Sequence, residues 1–340
     1  MLVLFTFLFG LYGKCVYVHQ SLEYPVILFS QLAYFSVVIP LTIAIYMGSY
    51  SCEEDIKTMI HIILKAKSSL NITTTKTTIV FNVTFVGFFL VVVHTIAYDC
   101  FVWLTSTNWV LFQYYLGDDM LYIHFSAAAF MLFCYLQYAE RICRDLNKTL
   151  SKTRRLIFQS SLTDINEEGN LKSLYIWYGN LYVLIDLINS SFGYILLGAT
   201  LEAILIILNN LVIFLIYYLI QNNIDGMGFG YEMIYLGISW TLTSMVQIIM
   251  LAYACDGVAR EAKRTPEICY SLLNDIPTIP KTDKDKILKE ELLLIAQQAT
   301  CRSPCISAAG FFVVNNSILG FILASVTSYI IVTIQFVGQN

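Results

Sequence analysis

Charged residues are scarce in this sequence: they make up 13% of 340 residues, where a soluble globular chain carries about 25%. Hydrophobic residues make up 57%, more than a water-facing surface can cover, so lipid has to be the solvent. A net charge of -4 gives no basic face for a nucleic-acid partner. Histidine is sparse, and His19, His61, His94 and His124 never stand at zinc-ligand spacing, so no metal and no cofactor is expected. The nine cysteines are odd in number and scattered, which argues against a disulfide framework. Cys301 and Cys305 lack a histidine partner, and no Ser, Asp or metal-ligand constellation suggests an enzyme.

What is present is a series of long apolar runs. A helix of about 20 residues spans the hydrocarbon core, and the stretches 25–47, 79–104, 120–139, 192–220, 230–253 and 307–336 qualify. A seventh stretch, 1–17, is short. It reads as a membrane segment rather than a signal peptide, because it lacks a basic start and a small-residue cleavage site. The expected fold is an all-α membrane protein of seven transmembrane helices in a single domain over 1–340.

Lys and Arg set its orientation. Nineteen of the 20 follow the 25–47, 120–139 and 230–253 segments, and only Lys14 lies elsewhere; the alternate loops 105–119 and 221–229 hold none. By the positive-inside rule the basic loops are cytoplasmic, the N-terminus is inside and the C-terminus is outside. The sequons at Asn71, Asn82, Asn147, Asn189 and Asn315 then fall in cytosol or membrane and are expected to stay unmodified.

The inner loops carry helical periodicity. Leu171, Leu174, Tyr175, Tyr178, Leu181, Tyr182, Ile185 and Ile188 share one face, and Leu288, Leu292, Ile295 and Ala299 repeat the pattern. These cytoplasmic extensions, over about 140–191 and 254–306, are expected to pack as an anchor layer beneath the membrane bundle. In the last segment Ser325, Ser328, Val332 and Gln335 fall 3, 4 and 3 residues apart, beside Gly320 and Ala324. Such a stripe serves either helix packing or a water-filled pore.

The ending SYIIVTIQF resembles the carboxy-terminal signature of the insect gustatory receptors, in which Thr-Tyr is followed after five residues by Gln-Phe. Ser328 replaces the Thr, while Tyr329, Gln335 and Phe336 match. The stretch 181–197, with Asn189, Phe192 and Gly193, is similar to the family's approach to its fifth segment. CDGVAREAKRT (255–265), with Glu261, Arg264 and Thr265, is similar to the inner end of its sixth. The resemblance covers 171–340 well, and the first half agrees in segment number and orientation. It implies a ligand-gated, non-selective cation channel for taste, built as a homotetramer or with related receptors as a hetero-oligomer, in the plasma membrane of gustatory neurons. Gln335 would line the pore, Val332 would contribute to its constriction, and Ser328 and Phe336 would border it. Tyr329, as a motif residue, would pack. Ile330 after the signature Tyr slightly favours a bitter or other non-sugar tastant. The family usually begins with a cytosolic tail and a full first segment, so a truncated start stands as an alternative.

Polar and aromatic residues in the outer halves of the segments are candidate ligand contacts, because polar groups in a bilayer face the bundle interior or a cavity. These are Tyr98, Asp99, His124, Asn209, Asn210, Trp240 and Gln247. Interfacial aromatics also belong to a membrane belt, and Glu202 is expected near the inner boundary in a structural role. Two rival functions fit less well. A G-protein-coupled receptor would use Glu140-Arg141-Ile142, but the last three segments lack proline and the C-terminus is external. A secondary transporter would show repeated halves, and 1–170 and 171–340 show none.

Overall fold

The structure, a computed structural model, describes residues 39–40, 42–43, 52–69, 75–106, 109–159, 166–220, 231–276, 283–302 and 304–337. The expected segment 1–17, and 25–47 apart from four residues, lie outside the described residues. Seven helices carry nearly everything that is described. They are α1 (Glu53–Ser69), α2 (Thr75–Ser106), α3 (Trp109–Gln159), α4 (Asn166–Ile220), α5 (Tyr231–Asp275), α6 (Asp283–Cys301) and α7 (Ser317–Val337). Four hold spans long and apolar enough to cross a membrane, at Asn82–Thr105, Tyr115–Lys152, Lys172–Val212 and Ile234–Asp275; Ser317–Val332 is a shorter apolar helix.

The 51 residues of α3, the 55 of α4 and the 45 of α5 extend about 1.5 Å each. Each helix is therefore between about two and three times the ~30 Å thickness of a hydrocarbon core. Membrane segment and extension are thus one helix in each case, and the half outside lipid is held by packing. Leu132, Leu136, Ala139, Ile142, Leu146 and Leu150 form one buried stripe on α3, and Ile248, Leu251, Cys255, Val258 and Ala262 form one on α5. Pro266 lies inside α5 and removes a backbone donor. The helix continues through it because Ala262, Cys269 and Leu272 are locked in the core.

On α4 the stripe runs through Leu174, Tyr178, Leu181, Ile185 and Ile188, all buried. Tyr175, expected in this stripe, is 42% exposed, while Trp177 is buried; the face is centred one position from the expected one. α6 closes the layer against α5 and α4, with Leu292, Ile295 and Ala299 inside. α1 has three acids in its first turn and Lys67 in its last, matched to the helix dipole. It seats Met59, Ile63 and Ala66 against α4 and α3.

The stretch expected to be helical from 307 begins differently. Ser307–Ala308 (β1) pairs antiparallel with Phe312–Val313 (β2), and α7 starts only at Ser317. Ala309 (φ 49°) and Gly310 (φ 80°) adopt a left-handed turn that no helix accommodates. The Asn315 side chain then caps α7, accepting from the Ser317 amide at 2.9 Å. The hairpin rests on α4, where Asn189 donates to the Cys305 carbonyl (2.8 Å) and accepts from the Ser307 amide (3.0 Å). α7 packs along α4 and more lightly on α5, at the edge of the bundle.

Candidate functional site

Apolar helices that bury polar side chains must satisfy them from one another. Toward the end of the bundle where α2 finishes and α3 begins, they do so in one cluster. Thr95 on α2 shares hydrogen bonds with Ser239 (2.9 Å) and Thr243 (2.7 Å) on α5. One turn on, the Trp240 indole N–H donates to Asp99 at 2.9 Å. The Trp240 ring meets Tyr122 of α3 edge-on, with centroids 4.6 Å apart. Ser126, a turn below Tyr122, donates to Gln247 at 3.3 Å. From α4, Asn210 donates to the Gly237 carbonyl and to the Thr241 hydroxyl, both at 2.9 Å. Cys100 donates to Asp119 at 3.7 Å, and the Trp103 and Tyr115 rings stack at 3.5 Å.

Of the candidate contacts, Asp99, Asn210, Trp240 and Gln247 are brought together here, and Asn209 is half-buried. Tyr98 is not part of this core. It sits with Tyr235 (4.7 Å, edge-on) and His94 (6.3 Å, parallel) on the outer face of α2 and α5. His124 is exposed, because residues two apart on a helix face apart and Tyr122 and Ser126 hold the inner face. Glu202, expected near the inner boundary, lies within electrostatic reach of Tyr122. Thr95, Asp119, Ser239 and Thr243 have no distinguishing pattern in the sequence; only the pairing of α2 and α3 with α5 reveals them.

A Trp240→Phe variant keeps the ring and removes the donor to Asp99. Hydrogen bonds to a charged acceptor contribute about 1.5–3 kcal/mol. Thermal unfolding of the purified chain in nanodiscs is expected to show a loss of that order, with the fold otherwise intact.

The second candidate region is α7. Ile318, Ile322 and Val326 are buried against the bundle. Gly320, Ala324, Ser328 and Gln335 occupy the exposed opposite face, with Val332 also exposed and Ser325 and Tyr329 half-buried. The Phe336 side chain lies outside the described residues.

Comparison with known proteins agrees with this architecture. The family described as 7tm Chemosensory receptor matches residues 1–340. Gustatory receptor 68a of Drosophila melanogaster is 29% identical over 100 residues, which cover 28% of this chain and 23% of that receptor. Among solved structures, the insect olfactory receptor OR5 from Machilis hrabei in complex with eugenol superposes with a TM-score of 0.62. That match covers 98% of this chain and 88% of the receptor at 11% identity, and at that identity the likeness concerns the fold.

Proposed function

The chain belongs to the 7tm chemosensory receptor family, a multi-pass membrane protein, and from that premise we propose that it is a taste receptor that is itself a ligand-gated, non-selective cation channel. The observation that carries this reading is the exposed face of α7. Ser328 and Gln335 lie on it beside Gly320 and Ala324, opposite the residues that seat the helix. Facing lipid, a glutamine side chain is costly. Lining water, it is at home, and small residues allow four such helices to approach one axis.

In this reading Val332, Gln335, Ser328 and Phe336 border the pore of a homotetramer, or of a hetero-oligomer with related receptors. Tyr329 holds α7 to its neighbours. The N-terminus is cytosolic, and the protein works in the plasma membrane of gustatory neurons. The ligand is a small molecule, bitter or otherwise non-sugar, taken by the polar cluster around Asp99, Asn210 and Trp240. Its arrival shifts α5 against α2 and α4, and α4 passes the shift to α7, which it contacts. The family membership lends no support to the G-protein-coupled or transporter readings.

Single-channel recording of Val332→Ala and Gln335→Ala beside Leu323→Ala tests the pore. Leu323 is 68% exposed and stands outside the proposed pore-facing set. The first two variants are expected to change conductance or relative cation permeability, and the third to leave both alone. Unchanged permeation in both Val332→Ala and Gln335→Ala would contradict the assignment.

A further inference from the structure

The polar cluster is also strongly one-sided in charge. The sequence has no Lys or Arg from 77 to 140 or from 173 to 259. The membrane portions of α2, α3, α4 and α5 nevertheless bring in Asp99, Asp119 and Glu202. Two of these carboxylates are accounted for: Asp99 accepts from Trp240 and Asp119 from Cys100. Glu202 is the only charged residue of α4 between Asp186 and the helix end. Among the described residues its carboxylate has neither a hydrogen-bond nor an ion-pair partner. It is sunk within the bundle yet keeps some accessible surface.

A second, independent feature lies within electrostatic reach of Glu202. Tyr122 is 4% exposed, and among the described residues its hydroxyl makes no hydrogen bond of normal geometry. The neighbouring Ser126 hydroxyl donates its own proton to Gln247. The Tyr122 hydroxyl lies near enough to Glu202 to feel its charge and is not bonded to it. Beside this pair stands the Trp240 ring, edge-on to Tyr122. A buried carboxylate without a counter-charge is costly. A carboxylate, a free hydroxyl oxygen and aromatic walls together favour a positively charged donor over a neutral one.

We propose that the ligand of this site is a small organic cation, held through a protonated nitrogen by Glu202, with the Tyr122 hydroxyl as second acceptor and the Trp240 and Tyr122 rings as its walls. This rests on the receptor reading above and narrows its ligand class. Asp99 contributes background negative potential while remaining engaged with Trp240.

The test uses binding, which requires no channel activity. The purified full chain in nanodiscs is titrated at neutral pH with phenethylamine, tryptamine and cyclohexylmethylamine. Each is paired with its neutral alcohol: phenylethanol, tryptophol and cyclohexylmethanol. The ligand-induced rise in unfolding midpoint gives an apparent Kd. At least one amine is expected to bind about tenfold or more tighter than its alcohol. Glu202→Gln should abolish that preference and Glu202→Asp should keep it. Tyr122→Phe should weaken amine binding about threefold, which keeps the test decisive if Glu202→Gln does not fold. Three outcomes overturn the proposal: equal binding of amine and alcohol in every pair, a preference that survives Glu202→Gln, or no binding by any of the amines. Amine binding without any evoked current would count against the channel reading and leave this one standing.

Discussion

Replacing Arg144 by Ala is expected to destabilise the chain by about 3 kcal/mol. Arg144 on α3 reaches Glu140 one turn before it and, at 3.5 Å from its Nε, Glu261 on α5. Both carboxylates are buried. Asn147 adds hydrogen bonds to the Glu261 carbonyl (2.8 Å) and carboxylate (3.3 Å), and Thr265 donates to Asn147 at 2.8 Å. Gly257 leaves room for Glu140, whose carboxyl carbon would lie 2.9 Å from any Cβ there. The guanidinium thus joins two acids from two helices. Deleting it leaves two like charges together in the core, which costs more than the pair contributes. The figure sits at the low end of the range for a broken buried pair because the Arg144 side chain is 35% exposed. Thermal unfolding in nanodiscs measures the loss. Arg144→Lys should recover part of it, since a lysine keeps the charge without the guanidinium fork. An Arg144→Ala protein as stable as wild type would remove this junction from the account of how α3 and α5 are fastened.

Gly193→Ala is expected to cost about 1–3 kcal/mol and to weaken gating beyond what that loss explains. A Cβ at this position would stand 2.9 Å from the Ala309 nitrogen and 3.1 Å from its Cα. These are backbone atoms of a turn already held at positive φ, so the hairpin would have to move as a unit. Because the hairpin leads into α7 through the Asn315 cap, its displacement shifts the start of the proposed pore helix. Surface expression, unfolding midpoint and ligand-evoked current should all fall. An unchanged midpoint would mean that α4 and the hairpin are not in fixed contact.

The part of the fold that could be read from the sequence followed from apolar run length and helical period. The stripe from Leu174 to Ile188 marked a helix that leaves lipid and must pack, and Leu292, Ile295 and Ala299 marked another. Run length cannot show where a helix begins when its extension is amphipathic. Run length likewise makes the hairpin before α7 read as membrane helix. Small residues such as Ala308, Ala309 and Gly310 are apolar enough to look like span, and only their backbone angles disclose the turn.

The motif residues carried by family resemblance turn out to have physical work. Asn189 ties the hairpin to α4, and Phe192 packs with its ring 5.6 Å from Tyr135. Gly193 admits the turn, and Glu261 and Thr265 belong to the Arg144 junction. Arg264, by contrast, is exposed. The polar cluster was half legible. Asp99, Trp240, Asn210 and Gln247 are conspicuous in apolar surroundings, whereas Thr95, Ser239 and Thr243 are residues that any membrane helix tolerates.

The central claim, that this chain both receives a small molecule and conducts cations, is tested most directly by whole-cell recording. Cells expressing the chain alone would be exposed to a panel of sugars and bitter compounds, with surface protein verified independently. The account predicts a tastant-evoked, cation-selective current whose conductance or selectivity changes in Gln335→Ala. An evoked current that Gln335→Ala leaves untouched, in conductance and in selectivity, would contradict it.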